Sequence, residues 1–197
     1  MSQIVNDAAL DAIFRNARSQ NGWQDKPLAQ TLLQAIYDLA RMGPTSANCS
    51  PARFVFLTTP EAKERLKPFL MPTNVQKVMS APVTVIFAYD LKFFDKIPQL
   101  FPHNPGAREW FSGNAQLAET TAFRNGSLQA AYFMLAARSL GVDCGPMSGF
   151  DNAGVDRTFF AGTDIKSNFI CALGTGDPAK VFPRNPRLSF DEACQVL

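Results

Sequence analysis

The chain of 197 residues is 46% hydrophobic and 18% charged, which excludes disorder over most of its length and suits a single domain, 1–197. Its net charge is +2, from 19 Lys and Arg against 17 Asp and Glu without a basic run, so we expect no nucleic-acid partner. No apolar stretch approaches the roughly 20 residues that cross a bilayer, and the N-terminus does not resemble a secretory signal. We therefore expect a cytoplasmic protein with no membrane partner.

The residues that usually bind zinc or act as nucleophiles are scarce. His103 is the only histidine, and the four cysteines lie far apart with no Cys-x-x-Cys pair. We therefore expect no metal site, and any Ser-His-Asp or Cys-His triad would have to include His103. Buried or free thiols and a surface histidine are the simpler interpretation.

The first half of the chain mixes helical and strand patterns. In chain order the patterns predict helices over 7–18 and 28–42, a strand over 53–57, a helix from Pro60 to about Leu70, and a strand over 81–89. Asn6 or Asp7 can cap the first helix, and Gly43-Pro44 ends the second. Residues 81–89 are apolar throughout, which predicts burial on both faces of a sheet.

The second half is dominated by one long helix. After an irregular aromatic segment, the patterns predict a helix over 115–140 ending at Gly141, a loop over 144–150, a helix over 152–160 and a strand over 168–174. Ser189-x-x-Glu192 is a capping-box pattern and predicts a last helical turn. The fold class is therefore α+β, with a small sheet covered by helices. Three strands make a narrow sheet, which favours a core completed by a second copy.

No standard catalytic motif is present. The sequence has no G-x-G-x-x-G after a strand, no Walker loop, no G-x-S-x-G and no H-E-x-x-H. An enzyme without these parts can leave the chemistry to a bound cofactor, which the protein orients.

Five short segments carry groups that could hold such a cofactor, although each also has an ordinary structural explanation. They are Arg18-Ser19, the loop Pro44-Thr45-Ser46-Ala47-Asn48, Asn74, the segment 146–151, and Arg184 with Arg187. An arginine beside a hydroxyl suits a phosphate, an asparagine amide suits the edge of a heterocycle, and glycine lets backbone N–H groups approach a planar ligand. The alternatives are a helix-end arginine, a capped turn, a tight loop and surface charge.

Together these segments resemble the nitroreductase superfamily of FMN-dependent NAD(P)H oxidoreductases, and most of all its malonic semialdehyde reductase branch from pyrimidine degradation. The resemblance runs nearly end to end. It is carried by ARSQNGWQDKP (17–27), MGPTSANCSPARFVF (42–56), NVQKVMSAPVTVIFA (74–88), LFPHNPGAREWF (100–111), AFRNGSLQAAY (122–132), GPMSGFD (145–151) and PRLSFDEAC (186–194).

The resemblance implies a nitroreductase-like fold with a small, mostly antiparallel sheet in an intertwined homodimer. It also implies that FMN is held by Arg18, Ser19, Asn21, Asn74, Ser148, Gly149 and Arg184 of one subunit and by Pro44, Thr45, Ser46 and Asn48 of the other. The sequence departs from the family pattern at Ala17 and Asn21, where the phosphate-binding motif has basic residues, and at Ser148, where many members have glutamate.

The implied reaction is ping-pong, with NADH or NADPH as reductant and flavin N5 carrying the hydride, so no catalytic side chain is expected. For malonic semialdehyde the product is 3-hydroxypropanoate. The carboxylate of malonic semialdehyde requires a cation near the pocket, and the substrate-binding candidates are His103, Arg108 and Arg124. A broad-specificity nitroreductase or quinone reductase is the alternative of the same fold. A cofactor-free interaction module is the alternative from another class.

Overall fold

A computed structural model describes residues 3–197. Its centre is one antiparallel sheet built from Ala52–Leu57 (β1), Val83–Asp90 (β2), Asp143–Met147 (β3) and Ile165–Gly174 (β4), in the order β1-β2-β4-β3. Every neighbouring pair of strands is antiparallel, and the β2–β4 register shifts between Phe87 and Ala88. The α+β class and the antiparallel sheet are confirmed.

Helices cover both faces of this sheet. They are Asp7–Leu10 (α1, continued by a π-helical turn at Asp11–Arg15), Gln30–Ala40 (α2), Pro60–Leu66 (α3), Pro72–Ser80 (α4), Ile97–Leu100 (α5), Glu109–Ser112 (α6), Ala115–Ser139 (α7), Asn152–Phe159 (α8) and Phe190–Ala193 (α9). None of these described helices is both long and apolar enough to cross a membrane.

Strand β2 is buried on both sides, as its apolar run, interrupted by Thr84, predicts. Val83, Val85 and Phe87 point into a core shared with α2 and α7. Ile86 and Ala88 point the other way, into a core shared with α3, α4 and α8. Alternate residues of a strand face opposite sides of its sheet, so a central strand between two helical layers has no polar face.

Helix α7 positions the loop before β1. Along it, Thr121, Asn125 and Gln129 are buried polar residues at intervals of four, so they share one face of the helix. Asn125 Oδ1 accepts from the backbone N–H of Ser46 at 2.9 Å, and Gln129 Oε1 accepts from that of Ala52 at 2.9 Å. One helix face therefore holds both ends of the segment 46–52.

The loop predicted over 144–150 is wrong for its first half, because residues 143–147 form β3 at a sheet edge. Gly145 and Pro146 favour a loop by local propensity, but an edge strand tolerates proline because one side of its backbone has no strand to pair with. Gly145 also has a packing role. A Cβ there would lie 2.6 Å from the carbonyl oxygen of Gln20.

Two helical expectations also need correction. Helix α4 was not predicted, because residues 72–80 are mostly polar and their pattern continues directly into the β2 run. Its first residue is Pro72, which suits the first helical position, and Asn74 therefore lies in a helix rather than in a turn. The first helix ends at Arg15 instead of residue 18, since the chain then extends to pair with β3 through a Ser19–Cys144 bridge.

Candidate active site

Four arginines converge on one cavity. The cavity measures about 500 Å³ and is lined by Phe14, Ala17, Arg18, Ser19, Asn21, Arg138, Phe182, Pro183, Arg184, Asn185 and Arg187. Among these residues are four guanidiniums, a hydroxyl and two carboxamides, with no carboxylate in the described lining. Such a donor set suits a phosphate.

Mutual hydrogen bonds between two distant segments build this anion cavity. Arg18 Nη2 donates to the carbonyl of Phe182. Arg184 Nη2 donates to the carbonyls of Arg15 at 2.7 Å and Ala17 at 3.0 Å. The structure thus brings Arg18, Ser19 and Asn21 together with Arg184, although more than 160 positions separate them in the chain.

Asn74 and Gly149, two further predicted residues, are in contact with each other. Asn74 Nδ2 donates to the carbonyl of Gly149 at 3.0 Å, and the same carbonyl accepts from the Met71 N–H at 3.0 Å. A Cβ at position 149 would lie 2.6 Å from Met71 Sδ and 2.8 Å from Asn74 Nδ2, so a larger residue there would displace these two side chains. Ser148 beside it is exposed.

Lys77 joins these two groups of residues, and sequence reasoning missed it. Its Nζ lies 3.5 Å from Asn21 Oδ1, and its Cδ would lie 3.4 Å from a Cβ at Gly145. Burial lowers the pKa of this lysine from its usual value. Residues three positions apart share a helix face, and Lys77 follows Asn74 by three. A helix over 72–80 would therefore have predicted Lys77 as a neighbour of Asn74.

The loop over 44–48 lies far from the anion cavity in the fold. It precedes β1, whereas Arg18 and Asn21 flank β3 at the opposite edge of the sheet, which separates the two by about 14 Å or more at the usual strand spacing. Thr45 Oγ1 accepts from the Ser50 N–H at 3.1 Å, and Asn48 Nδ2 donates to the Leu100 carbonyl at 2.8 Å. Within one chain, therefore, Pro44, Thr45, Ser46 and Asn48 do not join the other predicted residues.

This loop is also conformationally unusual. Ala47 and Asn48 have φ of 49° and Ser50 has φ of 40°, in the left-handed region that non-glycine residues seldom adopt. Each strained residue costs of order 1–3 kcal/mol and persists where its surroundings hold it. Here Asn125 and the buried Cys49 hold the loop in place.

The three substrate-binding candidates do not form one cluster of free cations. Arg108 pairs with Asp95 at 2.7 Å and lies over the Phe94 ring, so its charge is already engaged. His103 is exposed and packs on Phe101, with 3.9 Å between ring centroids. Arg124 is exposed on α7 in a groove with Phe123 and Leu128, and within residues 3–197 it forms no ion pair. No group of three or more metal-ligating side chains occurs in the same range.

Residues 14–177 match the model of the Nitroreductase family. The chain belongs to the nitroreductase family. The family assignment made from sequence is therefore confirmed. The match includes Arg18 and Arg138 of the anion cavity but ends before Arg184 and Arg187.

Nitroreductase relatives resemble this chain over almost its whole length. A protein of Stenotrophomonas maltophilia is 58% identical over 196 residues, covering 100% of both chains, and one of Cupriavidus pinatubonensis is 59% identical over 189 residues, covering 95% of this chain and 96% of the relative. Both carry the provisional name NADH dehydrogenase/NAD(P)H nitroreductase.

Among solved structures, a provisionally named nitroreductase from Exiguobacterium sibiricum in complex with FMN has a TM-score of 0.86 at 18% identity, covering 100% of both chains. A provisionally named Bacillus subtilis nitroreductase has a TM-score of 0.85 at 21% identity, covering 98% of this chain and 100% of that one. At these identities the likeness supports the nitroreductase fold.

Proposed function

We propose that this nitroreductase is a single-domain, FMN-dependent NAD(P)H oxidoreductase over residues 1–197, and that its acceptor is malonic semialdehyde, reduced to 3-hydroxypropanoate. The observation that carries the FMN part of the proposal is the anion cavity, whereas the acceptor is proposed from the resemblance to the malonic semialdehyde reductase branch. Four arginines surround a space without a carboxylate, and Lys77, Asn74 and Gly149 continue from it toward the end of β3.

The residues present fit FMN. Arg18, Ser19, Asn21 and Arg184 would hold its phosphate, which is the group that guanidiniums and hydroxyls bind best. Asn74 and Lys77 would bind the ribityl chain and ring edge, and the backbone N–H groups at Ser148 and Gly149 would donate to the ring. When bound, FMN supplies hydride transfer at its N5, taking hydride from NADH or NADPH and giving it to the acceptor.

A homodimer would account for the apolar side chains and the unpaired sheet edge that a single chain leaves exposed. Residues 182–197 are exposed throughout, including Phe182, Leu188 and Phe190, and β1 pairs on one edge only. On α7, Phe123 and Leu128 are also exposed. Several exposed apolar side chains on one surface favour a protein–protein interface there. In such a dimer Pro44, Thr45, Ser46 and Asn48 of one chain would complete the FMN site of the other.

Malonic semialdehyde carries a carboxylate, so its pocket needs a cation. Arg124 suits that role because it precedes Asn125, which holds the 44–48 loop, and its charge is not engaged by a carboxylate in the described chain. Arg108 suits it less, since Asp95 already neutralises it. His103 remains a weaker candidate on an exposed turn.

A broad-specificity nitroreductase or quinone reductase is the second candidate. The names of relatives 58–59% identical to this chain favour it. Such an enzyme would use the same FMN site but would have no need of a cation that selects a carboxylate.

Anaerobic half-reactions test both candidates. The purified protein, supplied with FMN, is reduced with NADH or with NADPH and freed of excess nicotinamide. It is then mixed with malonic semialdehyde, a nitrofuran or a quinone while flavin absorbance is followed. We expect fast reoxidation by malonic semialdehyde and slower reoxidation by the others, and an Arg124→Gln variant to slow only the semialdehyde. Reoxidation by nitrofuran and quinone without turnover of malonic semialdehyde would favour the second candidate. A colourless protein that takes up no FMN would reject both.

A further inference from the structure

Arg138 is the one arginine of the anion cavity that no sequence motif pointed to. It lies in the last turn of α7 and is half-buried. Its Nη1 donates to the carbonyl of Ile13 at 3.3 Å, and its Nε–H is buried without a hydrogen-bond partner among the described residues. No carboxylate neutralises this guanidinium within residues 3–197.

A partly buried guanidinium with so few protein partners is unfavourable unless another group accepts its hydrogen bonds. Removing a charged donor from water is unfavourable unless an acceptor replaces the water. The negative end of a helix favours a cation near its C-terminus, which explains the positive charge at this position. It does not explain why the side chain lines a cavity with three other arginines, where like charges repel one another.

The other arginines differ from Arg138 in how they are held. Arg18 and Arg184 donate to backbone carbonyls that tie the two segments together. Arg187 is exposed and bonds to the carbonyls of Asn185 and Pro186 beside it. Arg138 comes from a 25-residue helix and, of the four, it alone has a buried donor without a hydrogen-bond partner among the described residues, so an anion in the cavity would gain most from it.

We infer that Arg138 is a phosphate-binding residue of this nitroreductase, donating to the phosphate of FMN from the last turn of α7. The inference rests on the proposed function, since it requires FMN in this cavity. It extends the phosphate site beyond the residues at the two chain ends to the long helix that packs on the sheet.

The competing explanation is structural. Arg138 could serve only to tie the π-helical turn after α1 to α7 through Ile13. The two roles differ in one respect, because a phosphate ligand discriminates FMN from riboflavin, which has the same ring and ribityl chain but no phosphate. A structural tie affects both ligands alike.

The test is a comparison of FMN and riboflavin binding to the full-length protein freed of flavin, followed by quenching of flavin fluorescence. We expect Arg138→Met to weaken FMN binding by about tenfold to hundredfold and to leave riboflavin binding unchanged, so that the preference for FMN falls by the same factor. The matched control is Arg41→Met. Arg41 is an exposed arginine at the end of α2 that pairs with Asp38, and its loss should change neither ligand.

Each other result has a distinct meaning. An unchanged FMN preference in Arg138→Met, or equal weakening of both flavins, would overturn the phosphate role. A wild-type protein that binds FMN no better than riboflavin would instead reject the proposed phosphate cavity itself. If Arg138→Met does not fold, Arg138→Lys keeps the charge but loses the planar fork, and the FMN preference should still fall by several fold.

Discussion

At the scale of single residues, Arg18 and Arg184 have two tasks at once. Each uses one guanidinium nitrogen to hold the backbone of the other's segment, and that bond fixes the rest of the group at the cavity wall. A donor that is already oriented loses less entropy when an anion binds. The same three hydrogen bonds therefore support both the fold and the candidate phosphate site.

Arg18→Ala and Arg184→Ala should each weaken FMN retention by about tenfold to hundredfold, because the phosphate loses a charge-assisted hydrogen bond. The measurement is the fraction of flavin that stays with the protein after gel filtration at known dilution. Arg157→Ala, an exposed arginine on α8, is the control and should retain flavin normally. Full retention in both site variants would contradict the phosphate assignment.

The thiols should be largely inert in the native protein. Cys49, Cys144 and Cys171 are fully buried and Cys194 is exposed. Burial raises the pKa of Cys171, as it does that of Cys49, so thiolate is scarce as well as inaccessible. Titration with a disulfide reagent at pH 8 should detect at most one thiol, and four after denaturation. Rapid reaction of two or more native thiols would contradict the packing around these residues.

Cys49 should also make stability fall at alkaline pH. Burial raises its pKa to about 11, whereas an unfolded thiol ionises near pH ~8.5. Between these values the folded chain keeps a proton that the unfolded chain releases, so the free energy of unfolding decreases as pH rises, by up to about 2 kcal/mol at pH 10. Urea unfolding at pH 8 and pH 10 measures this change. It should be smaller in Cys49→Ala, and an equal change in both proteins would disprove the contribution.

At the scale of elements, the close approach of β3 to the 17–21 segment decides where the cavity lies. The Gln20 N–H donates to the Cys144 carbonyl at 3.0 Å, and Gly145 leaves no room for a side chain. The edge strand β3 and the 17–21 segment are therefore joined by a short additional β-bridge. This contact carries Arg18 and Asn21 to the end of the strand that leads to Gly149.

Gly145→Ala should both destabilise the protein and weaken FMN binding. The new Cβ would stand 2.6 Å from the Gln20 carbonyl and 3.2 Å from the Trp23 ring, so the segment must move, at a cost of about 1–3 kcal/mol. Thermal unfolding and flavin titration measure the two effects. Gly113→Ala is the matched control, because a Cβ there meets nothing within 4 Å. Equal behaviour of the two variants would show that the contact is unimportant.

At the scale of the whole molecule, the two halves of the candidate site lie on opposite edges of the sheet. One half contains Arg18 and Gly149 near β3, and the other is the 44–48 loop before β1. The homodimer that we propose, with sites shared between subunits, would unite them without any change in the chain. The expected mass in solution is then twice 21.6 kDa.

Mixed dimers test the shared site directly. One subunit carries Arg18→Ala and the other Asn48→Leu. If each site takes Arg18 from one chain and Asn48 from the other, one site has both defects and the other has none, so half of the FMN binds with normal affinity. If both residues came from the same chain, every site would be damaged and no normal binding would remain. Light scattering and flavin titration of the purified mixed dimer give the answer.

The sequence pattern was sufficient to predict the elements that depend on residues only a few positions apart. Strand β2, helix α7 and the capping box of Ser189 and Glu192 follow the predicted limits closely, because burial period, helix stops and caps involve residues a few positions apart. The family motifs in the sequence likewise indicate Arg18, Asn74 and Arg184 as candidate site residues. Strand β3 did not follow from pattern, since Gly145 and Pro146 favour a loop until a neighbouring strand supplies their hydrogen bonds.

The tertiary structure alone showed how the candidate residues are distributed. Lys77 and Arg138 enter the site because α4 and α7 present them there, and no local rule relates either residue to Arg18. The 44–48 loop lies apart from these residues because it precedes β1, and β1 and β3 are the two opposite edges of the four-stranded sheet. Periodicity and capping depend on residues within one or two helical turns of each other. The clustering of charged side chains in the anion cavity depends instead on packing between segments far apart in the chain.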